Sequence, residues 1–201
     1  MAREAGAGEW IELVACGILR KEIRYLAEKN GWPVRPHFLP SALHVDFGRL
    51  RQTLERSLAA TSLTRRLVFY GACHPLMDGI LAGPRAPRTP GQNCVEICLG
   101  AEVFARELAA GAFFLFEDWA RHWDRVTGGP GGMPPAVMRE IFAVAHSHLL
   151  GLRTPCSGDF TAAAEEVSRQ TSLELRWMDV GLERLEETLD GAIRRVMEEP
   201  L

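Results

Sequence analysis

No apolar run in this chain approaches the ~20 residues that a bilayer-spanning helix needs, and Met1 to Trp10 hold none of the apolar stretch of a secretory signal. Residence in the cytoplasm is therefore expected, and five cysteines there read as reduced thiols or metal ligands rather than disulfides. A basic surplus is missing too. Twenty-three Lys and Arg stand against 26 Asp and Glu, a net charge of -3, which argues against general nucleic-acid binding. The sequence has no Gly-x-Gly-x-x-Gly after a strand, no Walker sequence, no Gly-x-Ser-x-Gly and no Cys-x-x-Cys. These gaps remove the dinucleotide fingerprint, the phosphate loop, the nucleophile elbow and the compact zinc knuckle as starting points. There is no internal repeat, and no low-complexity tract beyond the Gly/Pro-rich 128–135 stretch.

What remains is 201 residues, 47% hydrophobic and 24% charged, enough for a sizeable core and read as one domain over 1–201. Residues 10–16 predict a buried strand, 19–29 a helix closed by Asn30-Gly31, and 34–39 a short edge strand carrying Pro36. Asp46 caps a helix along which Phe47, Leu50, Leu54 and Leu58 recur at helical spacing. The run from Arg65 to Tyr70 predicts a central strand, and a short helix follows over 75–81. The prolines of 83–91 predict a loop without ladder bonds. A helix over 95–109, a strand over 112–116 and a helix carrying Trp119, His122 and Trp123 come next. The 128–135 loop then introduces a C-terminal helical part, with helices near 135–150, 159–170 and 182–198 and a strand at 173–178. This alternation predicts an α/β fold, a mainly parallel open sheet with helices on both faces.

Three thiols sit where apolar strand-like runs break: Val14-Ala15-Cys16-Gly17, Tyr70-Gly71-Ala72-Cys73 and Gln92-Asn93-Cys94-Val95. Ligands of open α/β sheets bind at the carboxyl ends of the strands. The three are therefore expected to converge there on a metal, although each thiol alone also reads as a small core hydrophobe. Thiolates suit soft metals, and three of them leave a position open, as in catalytic zinc or a [4Fe-4S] cluster with one exposed iron. Cys94 precedes a helix, whose dipole is expected to lower its pKa. Cys98 reads as core and Cys156 as an ordinary thiol. Among six histidines, His44 is favoured as fourth ligand or general base. His74 adjoins Cys73, and His146 and His148 cannot share a helix face. Arg85 and Arg88 are candidates for holding an anionic substrate, and Trp119 with Trp123 reads as core.

At these residues the sequence resembles an uncharacterised family, domain of unknown function 1638, from about residue 11 to residue 190. The matching pieces are Ala15-Cys16-Gly17, Leu43-His44 followed by Asp46-Phe47, Phe69-Tyr70-Gly71-Ala72-Cys73, Asn93-Cys94-Val95 leading to Leu99-Gly100, Gly111-Ala112-Phe113-Phe114 and Trp119. The late helix from Phe160 to Ala164 and the strand at Leu173-Glu174-Leu175 also fit. The resemblance implies that Cys16, His44, Cys73 and Cys94 belong to the family pattern and that Cys98 and Cys156 do not. It also implies an association with corrinoid-dependent one-carbon methyltransferases. The chain departs from the pattern with His74 where glycine is frequent, Asn93 where aspartate is frequent, and a missing segment before His44. The expectation is a metal-binding protein with Cys16, Cys73 and Cys94 as ligands to a [4Fe-4S] cluster ahead of zinc. It would act on a small molecule in one-carbon or methyl/sulfur metabolism, with no nucleic acid or membrane as partner. The alternatives are a non-enzymatic metal or corrinoid accessory to a methyltransferase, and a metal-free cysteine enzyme using Cys73.

Overall fold

A computed structural model of the protein describes residues 10–128 and 133–199. The core of the 128–135 loop, at 129–132, lies outside the described residues. Among those described, the chain is α/β with parallel strands, and the strands fall into two sheets of three rather than one.

The first sheet begins with β1 (Ile11–Cys16). A 3-10 turn at Gly17–Leu19 leads into α1 (Arg20–Asn30). Gly31, at φ 61°, ends that helix in the left-handed cap that glycine tolerates. Then come β2 (Val34–Leu39), α2 (Phe47–Ala60) and β3 (Arg65–Phe69). Asp46 caps α2 by accepting the Arg49 N–H at 3.0 Å. Leu50, Leu54 and Leu58 are buried along its inner face, whereas Phe47 remains 51% exposed. The order β2-β1-β3 makes β1 central and β3 an outer strand, which corrects the expectation for Arg65–Tyr70. The apolar run of β3 has a different cause. The proline-rich loop covers its free edge, with Val68 donating to the Pro87 carbonyl and Thr89 donating back to Val68, both at 2.9 Å. That loop does make ladder-like bonds, through the Pro87 carbonyl and the Thr89 N–H.

After α3 (Met77–Ala82), the helix expected over 95–109 divides into α4 (Cys94–Leu99) and α5 (Ala101–Ala109). Gly100 parts them at φ 81°, ψ 155°, a geometry no helix can continue through. The second sheet, ordered β4-β5-β6, is built from β4 (Ala112–Leu115), β5 (His148–Arg153) and β6 (Glu174–Asp179). Between β4 and β5 lie α6 (Glu117–Arg121), α7 (Trp123–Val126) and α8 (Pro135–Ala145). Then α9 (Thr161–Thr171) and α10 (Glu183–Glu198) complete the chain. The strand β5 replaces the end of the helix expected near 135–150, so the C-terminal part is not all helical. Its side chains alternate. Leu150 and Leu152 join the larger core shared with the first sheet, and Leu149 joins a smaller one with Trp123, Phe160 and Val167. A strand buried on both faces loses the apolar-polar alternation that identifies strands.

One carboxyl group is buried with these apolar side chains. Glu22 of α1 accepts the Thr154 hydroxyl at 2.7 Å, and burial holds its pKa above the ordinary value. A raised carboxyl favours folding below its unfolded pKa, and that contribution is lost as pH rises through the folded value. Glu22→Gln removes the charge while keeping an acceptor for Thr154. It is expected to raise stability at pH 7 and to lose that advantage near pH 4, measured by urea denaturation at both pH values.

A candidate thiol centre

Cys16 is the last residue of β1, in the sheet's centre. Beyond it Gly17 passes so close to β2 that a Cβ there would lie 2.8 Å from the Leu39 carbonyl oxygen. The chain leaves β3 through Tyr70 and Gly71 and reaches Cys73. At Gly71 a Cβ would lie 2.3 Å from the Gln92 carbonyl oxygen and 2.4 Å from the Asn93 nitrogen. Only glycine lets the 92–93 backbone cross here, and that crossing delivers the third thiol. Asn93 accepts the Glu96 N–H at 2.9 Å as the cap of α4, and Cys94 is that helix's first residue. Aspartate and asparagine cap equally well, so the departure at Asn93 preserves the turn. In this order of strands the direction of winding reverses around β1, and ligands of open α/β sheets bind beside such a reversal.

The Cys94 thiol has hydrogen-bonding interactions with both Cys16 and Cys73. Cys16 and Cys94 are buried, and Cys73 is half-buried. The Cys94 S–H donates to Cys73, and despite partial burial the Cys73 pKa falls to about 7, helped by the Gly71 backbone and the positive charge of Arg88. The same contacts to Cys16 and Cys73, with full burial, push Cys94 well up. The expected lowering of Cys94 by its helix therefore does not occur, because a six-residue helix is outweighed by two neighbouring thiols. Tyr70 lies beside all three. Burial first, and then the Cys16 thiol, keep its phenol protonated. Its hydroxyl is close enough to Cys16 to interact but makes no hydrogen bond of good geometry. Among the described residues, no group of three or more His, Cys, Asp or Glu is arranged as it would be around a bound metal ion.

The three thiols and Tyr70 form one wall of a cavity of about 500 Å³. The opposite wall comes from the second sheet and its helices, through Phe113, Phe114, Trp119 and His146. His44 lines the same cavity and stacks on Trp119 at 4.6 Å, 16° between the planes. Its Nδ1 lies 2.7 Å from the Ser41 carbonyl. A carbonyl only accepts, so Nδ1 carries the proton in the neutral ring and Nε2 keeps a lone pair. A backbone carbonyl behind one ring nitrogen is the usual support of a histidine that binds metal through the other. Burial lowers the pKa of His146 and favours its neutral form.

The other sequence candidates lie elsewhere. Cys98 is buried in the core, where burial pushes its thiol up to about 12. Cys156 follows β5 and is absent from the cavity walls. Arg85 is exposed at φ 49°. Arg88 pairs with Asp78 at 2.8 Å and donates to the Thr89 and Gly91 carbonyls. Neither arginine lines the cavity, though Arg88 acts on Cys73 through its charge. His148 lies within β5, apart from His146. Sequence reasoning missed Tyr70 and His146 as cavity residues. Tyr70 had a signal, its place between a strand end and Gly71, whereas His146 could be placed only after β5 was known.

No curated protein and no solved structure matches the chain. A family model described as a protein of unknown function matches residues 38–189, a span that includes His44, Cys73 and Cys94 and begins after Cys16. With most of its length inside that match, the chain belongs to the DUF1638 family.

Proposed function

We propose that this is a metal-binding protein in which Cys16, Cys73 and Cys94 hold a soft metal, zinc or a [4Fe-4S] cluster, with one coordination position open toward the cavity. The observation that carries this reading is the meeting of three thiols from distant parts of the chain on one wall. Packing alone gives no reason for one thiol to meet two others, and soft sulfur donors are the chemistry zinc and iron–sulfur clusters take. A Cys73 thiol whose pKa is lowered to about 7 supports it, because a thiol must lose its proton to bind metal. A tetrahedral zinc with Zn–S bonds of about 2.3 Å would draw the three sulfurs to roughly 3.8 Å from one another. Bound there, the metal would supply Lewis acidity. His44 would serve as fourth ligand or general base, Tyr70 would donate a hydrogen bond beside the sulfurs, and the aromatic walls would exclude water. The substrate would be a small molecule of one-carbon or methyl/sulfur metabolism, with a corrinoid methyltransferase system as the associated partner.

Elemental analysis of anoxically purified protein tests this reading. Wild type is expected to carry close to one zinc, or iron and sulfide with broad absorbance near 400 nm. Cys16→Ser, Cys73→Ser and Cys94→Ser should each lose most of it, while Cys98→Ser and Cys156→Ser keep it. Wild type without metal after reconstitution, or equal retention in all five variants, overturns the proposal.

A metal-free cysteine enzyme is the second reading, favoured by Cys73, the least buried of the three thiols and one whose pKa is lowered. In reduced, metal-free protein, iodoacetamide is expected to label Cys73 first. Its rate should rise through about pH 7, against 9 for an ordinary thiol. Mass spectrometry of quenched samples reads both site and pH midpoint.

A further inference from the structure

A second cleft, of about 730 Å³, opens beside the thiol cavity. Residues just beyond four strand ends line it: Gly17 after β1, Ser41 after β2, Glu117 after β4 and Ser157 after β5. The carboxyl ends of both sheets thus face one space, the position where parallel sheets hold ligands.

Its charges are uneven. Arg20, Lys21, Arg121 and Arg125 line it, against Glu22, Glu117 and Asp118. Each acid is already engaged. Glu117, with its side chain 11% exposed, accepts from Lys21 Nζ at 2.7 Å, from Arg121 Nε at 2.8 Å and from the Gly158 N–H at 3.0 Å. Asp118 accepts the Ser41 hydroxyl and faces His122 Nδ1 at 3.5 Å. Glu22 holds Thr154. Two cations are left over. Arg20 rests against the Phe38 ring at 5.3 Å and forms no ion pair among the described residues, and the Arg125 side chain forms neither an ion pair nor a hydrogen bond among them. Two guanidinium groups without an ion pair, in a concave space with more cations than carboxyl groups, focus positive potential there. Their forked donors match the paired oxygens of phosphate or carboxylate.

We propose that this cleft is a binding site for a small molecule bearing an oxyanion, a phosphate or a carboxylate, with Arg20 and Arg125 as its principal contacts. Glu117 is a positioning residue that fixes Lys21 and Arg121 at the rim. Ile18 lines both this cleft and the thiol cavity, so a molecule anchored by its oxyanion here has its remaining atoms next to the Cys16 wall. The proposal does not depend on a metal at the thiols.

Calorimetric titration of the full chain with inorganic phosphate and, separately, with malonate tests it. Three proteins are compared: wild type, Arg20→Gln/Arg125→Gln, and the control Arg51→Gln/Arg176→Gln, which removes the same charge from exposed sites elsewhere. Wild type should bind at least one probe saturably at about millimolar concentration, more weakly as salt rises. The cleft variant should lose about tenfold or more in affinity and the control less than twofold. Preference for phosphate or for malonate identifies the oxyanion. Saturable binding of neither probe, undiminished binding by the cleft variant, or an equal loss in the control overturns the proposal. All four arginines are exposed, so circular dichroism is expected to show each variant folded. Arg125→Gln alone gives a milder variant for the same comparison.

Discussion

Gly71→Ala is expected to destabilise the protein by about 3 kcal/mol or more and, on the metal-binding reading proposed above, to abolish metal binding as fully as loss of a cysteine would. The added methyl would lie 2.3 and 2.4 Å from backbone atoms of Gln92 and Asn93, closer than any Cβ contact can be. Side chains can turn away from a clash, but here the obstacle is main chain, so one of the two segments must move. The segment next to the obstacle carries Asn93, which caps α4, and Cys94, the thiol that touches the other two. Strain at position 71 is therefore transmitted to the thiol group itself. Gly79→Ala, within α3, is the control. No atom lies within 4 Å of its Cβ, and alanine there should be neutral or stabilise by about 0.5–1 kcal/mol. Urea denaturation and metal content, measured on both variants, check the result. A Gly71→Ala protein with wild-type stability and metal would show that the crossing at 92–93 does not hold the thiols together.

Leu149→Ala is expected to cost about 2–5 kcal/mol, lowering the thermal midpoint by roughly 5–15 °C. Leu149 is fully buried in β5, in the smaller core with Trp123, Phe160 and Val167. Both neighbouring strands hydrogen-bond to β5, so this site cannot collapse around the missing methyl groups without shifting the middle of a sheet. Val144→Ala, only five residues earlier on α8 and 91% exposed, should change stability by less than about 0.5 kcal/mol. Thermal and urea unfolding of the pair also test the boundary between α8 and β5. Equal effects at 144 and 149 would contradict it.

That boundary is where the sequence was hardest to read. His148-Leu149-Leu150-Gly151-Leu152 is leucine-rich and apolar throughout, and a short run of this kind carries neither helical nor strand periodicity. Its strand character comes from partners on both sides, which lie far away in the chain. β1, α2 and α10 were legible because a capping residue, a glycine stop or a clear apolar stripe bounded each of them. β3 looked central for a reason unrelated to sheet order, since the 83–91 loop does for its edge what another strand would have done. At the site, the three cysteines stood out because each sits at a break in the chain's pattern, Cys16 and Cys73 after an apolar run and a small residue and Cys94 after the Gly91-Gln92-Asn93 turn. The other wall did not, because Phe113, Trp119 and His146 approach the thiols only once the second sheet is in place. Arg85 and Arg88 drew notice as cations in a loop, yet the unpaired cations of the large cleft are Arg20 and Arg125. Nothing local distinguishes those two from other helical arginines.

The cavity takes its walls from both sheets, with thiols on one side and aromatic rings on the other. Whatever fills it acts as a bolt between the two halves of the molecule. An occupant held a hundredfold above its dissociation constant would add about 2.7 kcal/mol to the cohesion of the whole chain. Amide exchange should then slow in β1 and β4 together, although they share no ladder, and the empty protein should be the form that breathes along the seam.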